Sequence, residues 1–236
     1  MARKPGRSTG RPRAGLNDET VVVVGLGRFG GALALELVNL GHSVMAIDVN
    51  PKTVQAYANR LPHVVAADTT DIETLRQLGV GDAHRAVIAI GTDIEASIMT
   101  TSLLVDLDLP DIWAKAISRD HGTILSRVGA HHVVLPEHEM GERVAHLLSG
   151  RMLDYVEVDT DYAMVKTTPP QELVGVPLSA SRIRARYGVT IVSVKKETDG
   201  PDATYTHTTA DTTLMYGDHI LVVGTIHDLE RFVDAD

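Results

Sequence analysis

Gly25, Gly27 and Gly30 fall in the pattern G-x-G-x-x-G, directly after the apolar run VVVV. Eighteen residues beyond Gly30, a second apolar stretch ends in an acid, Asp48. This combination suits the phosphates and ribose of a nucleotide. Glycine at 25 permits a tight turn out of a strand, glycine at 27 lets the backbone approach phosphate, and glycine at 30 lets a helix pack closely on the strand. A helix starting here offers unpaired N–H groups and partial positive charge to an anion. Asp48 can accept hydrogen bonds from ribose hydroxyls, and its charge disfavours a 2′-phosphate, which argues against NADP. The bland alternatives are an ordinary strand–helix turn and a solvated strand-end carboxylate; the combined context favours the nucleotide.

An arginine, Arg28, stands inside the glycine loop, followed by Phe29. Its planar guanidinium matches phosphate oxygens and could neutralise the terminal phosphate of ATP, in its own subunit or across an interface. The other reading is a solvent-facing arginine on the first helical turn.

The elements that must position these groups can be read from hydrophobic patterning. Short, nearly continuous apolar runs at 20–25, 43–48, 63–67, 86–89, 111–116 and 132–135 predict strands buried on both faces of a parallel sheet. Helical patterns lie between them at 30–40, 51–58, 71–78, 94–107 and 121–128, and a further one follows at 140–148. The alternation predicts an α/β fold, a Rossmann-like doubly wound parallel sheet. After a break at 149–151 the character changes. Strands are expected at 154–160, 163–168, 190–196, 204–207 and 218–223, with helices at 179–186 and 225–232, a small α+β unit. The expected domains are a disordered basic tail at 1–18, a nucleotide-binding domain with crossover helix at 19–150, and a regulatory domain at 151–236.

Composition narrows the classes. The chain has 236 residues, no cysteine and a net charge of −9, so disulfides and thiol catalysis are excluded. The first 17 residues hold five basic and no acidic side chains, which leaves 17 basic against 31 acidic in the rest. An acidic body argues against nucleic acid as partner. The Gly-, Pro- and Arg-rich tail cannot bury a core; it reads as solvated, with acidic lipid or RNA as the sharper alternatives. No apolar run reaches the roughly 18 residues of a spanning helix, and no secretory leader is evident. A cytoplasmic location is expected.

Several segments together resemble a known family. "GLGRFGGALALEL", "AIDVNPKTV", "AADTTD", "AIGTDIEASIMTTSLLVDL", "IWAKA", "VGAHHVVLPEHEMGERVA" and "RARYGVTIVSVKK" are similar to the RCK (KTN) proteins. These are the KtrA/TrkA-type cytoplasmic regulatory subunits of bacterial Ktr/Trk potassium uptake systems, and the KtrA type resembles the chain most. The resemblance runs from about Thr20 to Phe232 and leaves out the tail.

The resemblance implies a nucleotide-sensing gating-ring subunit, not an enzyme. It would form homodimers and an octameric ring beneath a membrane-embedded potassium-transporting subunit, peripheral to the inner face of the cell membrane. ATP or ADP, or NAD(H) in some members, would switch it. Gly25, Gly27 and Gly30 with Phe29 would line the phosphates, Asp48 and Asn50 would hold the ribose region, and Asp68 and Thr69 would border the adenine. Gly91 and Thr92 would close the pocket, and Arg28 would reach a terminal phosphate. Lys115 is either a second cation near that interface or a strand-end surface lysine. Glu137 would help bind a cation between subunits, Mg²⁺, Ca²⁺ or Na⁺ as suits carboxylate oxygen; on its own it is also an acid favourably placed near a helix N-terminus. The second domain resembles a module that binds cyclic di-AMP in some members. Arg184, Ile183 and Val176 are candidates there, against a helix face packed at a dimer seam.

Two other functions fit the first domain. An NAD(H)-dependent oxidoreductase would share its nucleotide fold, but the second domain is short and offers no evident acid/base pair. The same sensor could also serve a potassium efflux channel or antiporter. His131 and His132 have no metal-ligand spacing around them.

Overall fold

The computed structural model describes residues 20–148, 152–200 and 202–235. The expected disordered tail at 1–18 lies outside the described residues. The chain divides into two compact units, one ending at Glu137 and the other beginning at His138.

The first unit is a six-stranded parallel sheet. Its strands are β1 (Thr20–Val24), β2 (Ser43–Asp48), β3 (His63–Ala66), β4 (Arg85–Ile88), β5 (Asp111–Lys115) and β6 (His132–Val134), in spatial order β3-β2-β1-β4-β5-β6. Helices α1 (Arg28–Asn39), α2 (Pro51–Tyr57), α3 (Ile72–Gln77), α4 (Ile94–Asp106) and α5 (Arg119–Val128) connect them. This is the doubly wound order, and the chain reverses direction across the sheet between β1 and β4. The register places Val24 beside Ile47 on one side and Ile88 on the other.

β1 shows why its run is unbroken. Val22 and Val24 enter one core with Ile47, Leu75, Ile88, Leu104 and Ile112, while Val21 and Val23 enter another with Ala34, Val44 and Val87. A strand covered on both faces has no polar side to show.

α6 (Pro136–Leu148) begins four residues earlier than its apolar pattern. Pro136 sits at the first helical position, where its fixed φ and missing N–H cost nothing. All of α6 beyond Glu137 groups with the second unit, whereas the sequence assigned the helix to the first domain.

The second unit is a five-stranded antiparallel sheet in the order β10-β9-β11-β8-β7. It comprises β7 (Asp154–Asp159), β8 (Tyr162–Thr167), β9 (Thr190–Lys195), β10 (Thr206–His207) and β11 (His219–Thr225). α9 (Ile226–Val233) buries Leu229 and Phe232 against it, in a core with Val165, Ile220 and Val222. The single helix expected at 179–186 is two, α7 (Leu178–Ser181) and α8 (Ile183–Tyr187). Arg182 breaks it with a left-handed backbone, φ 53° and ψ 31°. Among the described residues no helix is long and apolar enough to cross a membrane.

Candidate functional site

Each expected site residue of the first unit follows the end of one of the six parallel strands. The glycine loop follows β1, Asp48 ends β2 and Asn50 lies just beyond it, Asp68 and Thr69 follow β3, Gly91 and Thr92 follow β4, Lys115 ends β5 and Glu137 follows β6. The topology therefore carries all of them to the carboxyl edge of the sheet, where open α/β sheets bind ligands.

The turn out of β1 is specified by space. Gly25 has φ +90°, outside the range of ordinary side chains. A Cβ on Gly30 would overlap the Gly25 carbonyl oxygen and come within 2.8 Å of Ala89 Cβ. At Gly27 the reverse holds: a Cβ there would meet no protein atom within 4 Å.

Helix α1 starts at Arg28, two residues before its apolar pattern, because Gly27 caps it with backbone alone. Side chains cap most other helix starts: Asn50 for α2, Asp71 for α3, Asp93 for α4, Ser118 for α5 and Thr225 for α9. The first N–H groups of α1 have no such partner and open onto the space at Gly27. That is a cradle for an anion.

Asp48 ties the loop to β2. One carboxylate oxygen accepts from the Leu26 amide at 2.7 Å and the other from the Asn50 amide at 2.8 Å. Each oxygen keeps a lone pair for a further donor such as a ribose hydroxyl. Asn50 accepts from the Lys52 amide at 3.0 Å, which leaves its NH₂ uncommitted to that cap. The Leu26 amide was missed by reasoning on side-chain types, since any residue supplies it.

Past β3 the picture divides. Asp68 is exposed and accepts from the Thr70 hydroxyl and amide, which hold its carboxyl below its ordinary range. Thr69 turns inward, its hydroxyl 2.9 Å from that of Thr100, so only its backbone remains for the crevice. Thr92 is exposed beside Asp93, the cap of α4.

Lys115 is not a strand-end surface lysine: its side chain is 10% exposed. Its ammonium donates to Glu137 at 2.6 Å, lies 5.8 Å from the centre of the Phe29 ring, and would be 3.3 Å from a Cβ on Gly91. The Lys115 bond, helped by the charge of exposed Arg28, holds the Glu137 carboxyl below the usual range. The pair joins residues 22 apart, and only adjacency of β5 and β6 brings them together. Among the described residues no group of three His, Cys, Asp or Glu side chains could hold a metal. Glu137 alone, with an ammonium on one oxygen, does not make a cation site within one chain.

The second unit has a concavity of about 380 Å³ lined by Leu178, Arg182, Ile183, Arg184, Val189 and Ile191, among others. Of the residues expected there, Ile183 and Arg184 line it and Val176 is not among the lining. Arg184 reaches the Thr190 hydroxyl at 3.1 Å. Tyr162 and Lys166 stand at the Tyr-x-x-x-Lys spacing of some oxidoreductases, but on strand β8, where four residues span about 13 Å and cannot form a dyad.

Comparisons with known proteins agree with this architecture. Residues 21–136 match the TrkA-N domain and residues 162–235 the TrkA-C domain. Ktr system potassium uptake protein A of Bacillus subtilis is 37% identical over 78% of this chain and 83% of its own. Ktr system potassium uptake protein C of the same organism is 36% identical over 89% of this chain and 94% of its own. Among solved structures, a GsuK channel bound to NAD superposes with a TM-score of 0.50 at 24% identity, over 92% of this chain and 38% of that one, a likeness of fold. With both domains matched in order and two Ktr proteins similar over most of their length, the chain belongs to the Ktr family of potassium uptake proteins, as a TrkA-N domain followed by a TrkA-C domain.

Proposed function

We propose that this chain is the nucleotide-sensing regulatory subunit of a potassium uptake system. Residues 19–150 would act as the nucleotide-binding domain and 151–236 as the regulatory domain. ATP or ADP would lie across the carboxyl edge of the six-stranded sheet. Its phosphates would face Gly25, Gly27 and the α1 N-terminus, its ribose Asp48 and Asn50, its adenine Asp68 and the Thr69 backbone, with Gly91 and Thr92 closing the crevice. Arg28 and Lys115 would meet the distal phosphates. NAD(H) fits the same cradle up to its pyrophosphate. The observation that carries this reading is the α1 start, uncapped by any side chain and opening on free space at Gly27.

The arrangement would bind the nucleotide and leave its covalent bonds intact. Binding regulates only if two arrangements of the assembly differ in affinity for the ligand. The described residues form one such crevice, so the coupling would run between copies, in a homodimer or an octameric ring docked on a membrane-embedded potassium-transporting subunit. A cation (Mg²⁺, Ca²⁺ or Na⁺) at Glu137 would need carboxylates or phosphates from outside one crevice, which a second copy would bring.

Calorimetric titration with ATP, ADP and NAD, followed by the mass of the assembly in each state, tests the reading. Micromolar binding of an adenine nucleotide together with a ligand-dependent change of assembly is the expected result. Absence of binding by all three would end it.

The concavity of the second unit supports a second site. Two arginines over an apolar floor suit an anionic ligand with flat, apolar parts, and a cyclic dinucleotide such as cyclic di-AMP has that chemistry.

A further inference from the structure

Gly30 answers to the turn at Gly25, but the glycine after it, Gly31, answers to another element. A Cβ there would overlap the Tyr57 hydroxyl and come within 2.6 Å of Cζ of the same ring. Tyr57 is the last residue of α2, a helix of seven residues that buries none of them fully. So short a helix stands only by tertiary packing. Tyr57 is its anchor: the ring packs against the core that holds Val21, Val23 and Ala34, and the Arg60 guanidinium lies 5.6 Å from the ring centre.

Both ends of this contact lead to the crevice. Gly31 donates its amide to the Gly27 carbonyl at 2.8 Å, the first hydrogen bond of α1. Tyr57 stands seven residues, about two turns, beyond Asn50, the cap of α2, and so shares its helix face. Asn50 in turn gives its amide to Asp48.

Resting on the nucleotide reading, we propose that Tyr57 is a positioning residue: seated on Gly31, it sets the spacing between the phosphate cradle at Gly27 and the ribose clamp at Asp48 and Asn50. It touches no ligand itself. A nucleoside 5′-phosphate engages both halves at once. Its span from ribose to phosphate is fixed by covalent bonds, so it binds tightly only where the halves are held at the matching distance. Gly31 lets α2 come this close to α1, and a side chain there drives the halves apart.

The test is calorimetric titration of full-length protein with ATP, with a melting curve for each variant. Gly31→Ala pushes the ring off its seat and should weaken ATP binding about tenfold, within the range for coupled neighbours. Tyr57→Leu should weaken it roughly threefold, the lower end of that range. In the double variant the alanine methyl takes space the ring has left, so ATP should bind more tightly than to Gly31→Ala alone. Tyr57→Phe keeps the ring and should bind ATP like the parent. A contact that serves packing alone would move the melting temperatures and leave the ATP affinity of the folded proteins equal, which overturns the proposal. A Gly31→Ala loss that Tyr57→Leu does not relieve also overturns it. If Gly31→Ala melts below the assay temperature, the contrast between Tyr57→Phe and Tyr57→Leu decides alone, and equal affinities overturn it. In each of these cases ATP binding by the parent leaves nucleotide sensing intact. A parent that binds no adenine nucleotide overturns both.

Discussion

The crevice of the first unit and the concavity of the second are built by opposite means. The crevice is mostly backbone: the +90° turn at Gly25, the contact of Gly30 with the Gly25 carbonyl, the open N–H groups of α1 and the Leu26 amide given to Asp48. The concavity is mostly side chain, with Leu178, Ile183, Val189 and Ile191 as floor and Arg182 and Arg184 as charge. A site made of backbone shares its geometry with the fold, so damage to one is damage to both. A site made of side chains can lose its chemistry while the sheet beneath stands.

Two carboxylates sharpen the contrast most. Asp48 and Asp218 each fasten a turn by accepting two backbone N–H groups. Asp48 is half-buried with capacity left for a ligand, whereas Asp218 is fully buried and also takes the Lys196 ammonium at 2.7 Å. Burial pushes the Asp218 carboxyl up, and the bonds from Lys196, Met215 and Glu197 outweigh it, so its net position is below the ordinary value. Asp218→Asn should therefore cost about 3 kcal/mol of stability in the second unit, because it removes the charge that balances the Lys196 ammonium and leaves it the Thr213 carbonyl as its remaining full acceptor. A carboxyl lowered on folding stabilises above its unfolded pKa, and that contribution disappears as pH falls through the folded value. The parent should lose second-unit stability below about pH 4, and the variant should show a flatter acid limb. Amide exchange followed unit by unit reads both effects; an unchanged acid limb would remove Asp218 from the account.

In the first unit, Gly30→Ala forces α1 away from Gly25 and Ala89. Overpacking of this kind costs about 2 kcal/mol, and nucleotide binding should fall with it. Arg184→Ala in the second unit should change stability by no more than about 0.5 kcal/mol, as an exposed substitution does, while weakening an anion in the concavity. Melting curves and titrations of both variants separate the two kinds of site. A Gly30→Ala protein that melts and binds like the parent would break the contrast.

Asp48→Asn is the milder probe of the crevice. The amide keeps one acceptor oxygen, but the charge that strengthens its bonds is lost. Adenine nucleotides should bind about tenfold more weakly, a difference of about 1.4 kcal/mol. The preference for NAD over NADP should narrow, because the repulsion toward a 2′-phosphate has gone. A parent that already binds both equally would take Asp48 out of the ribose subsite.

The same division explains what could be read from sequence. The central strands of the first sheet, β1 above all, were legible because burial on both faces writes an unbroken apolar run, while the edge strands β3 and β6 are only partly buried. Gly25 and Gly30 were legible because the backbone there leaves only glycine, and Gly27, where a Cβ would meet no protein atom, only through its spacing in the motif. Helix starts were less legible. α1 begins under a backbone cap that no residue type announces, and α6 begins at a proline whose place depends on the turn before it. Thr69 was expected at the adenine, but pairing with Thr100 across 31 residues turns its hydroxyl inward. The Lys115–Glu137 pair depends on two strands lying side by side, which sheet order decides and neither local segment states. In the second unit Ile183 and Arg184, candidates by resemblance, line the concavity, and Val176, named with them, is not among the lining. Arg182 was not named, because a left-handed arginine leaves no mark in a helical pattern.

Arg182 also offers the finest test. Its backbone, at φ 53° and ψ 31°, separates α7 from α8 and sets its side chain in the lining of the concavity. A non-glycine residue held there carries about 1 kcal/mol of strain. Arg182→Gly removes that strain and returns part of the gain as unfolded-chain entropy, so the variant should be more stable by about 0.5 kcal/mol. If the arginine serves only the turn, nothing else should change. If it serves the concavity, the more stable variant should bind an anionic ligand such as cyclic di-AMP less well, and stability and affinity move in opposite directions. In the glycine loop they move together, since the turn that Gly25 relieves also carries Gly27 and the α1 start to where a phosphate would lie. A variant at 182 that gains stability and keeps its affinity would mean the strained arginine has no part in the site, and the concavity would rest on Arg184 alone.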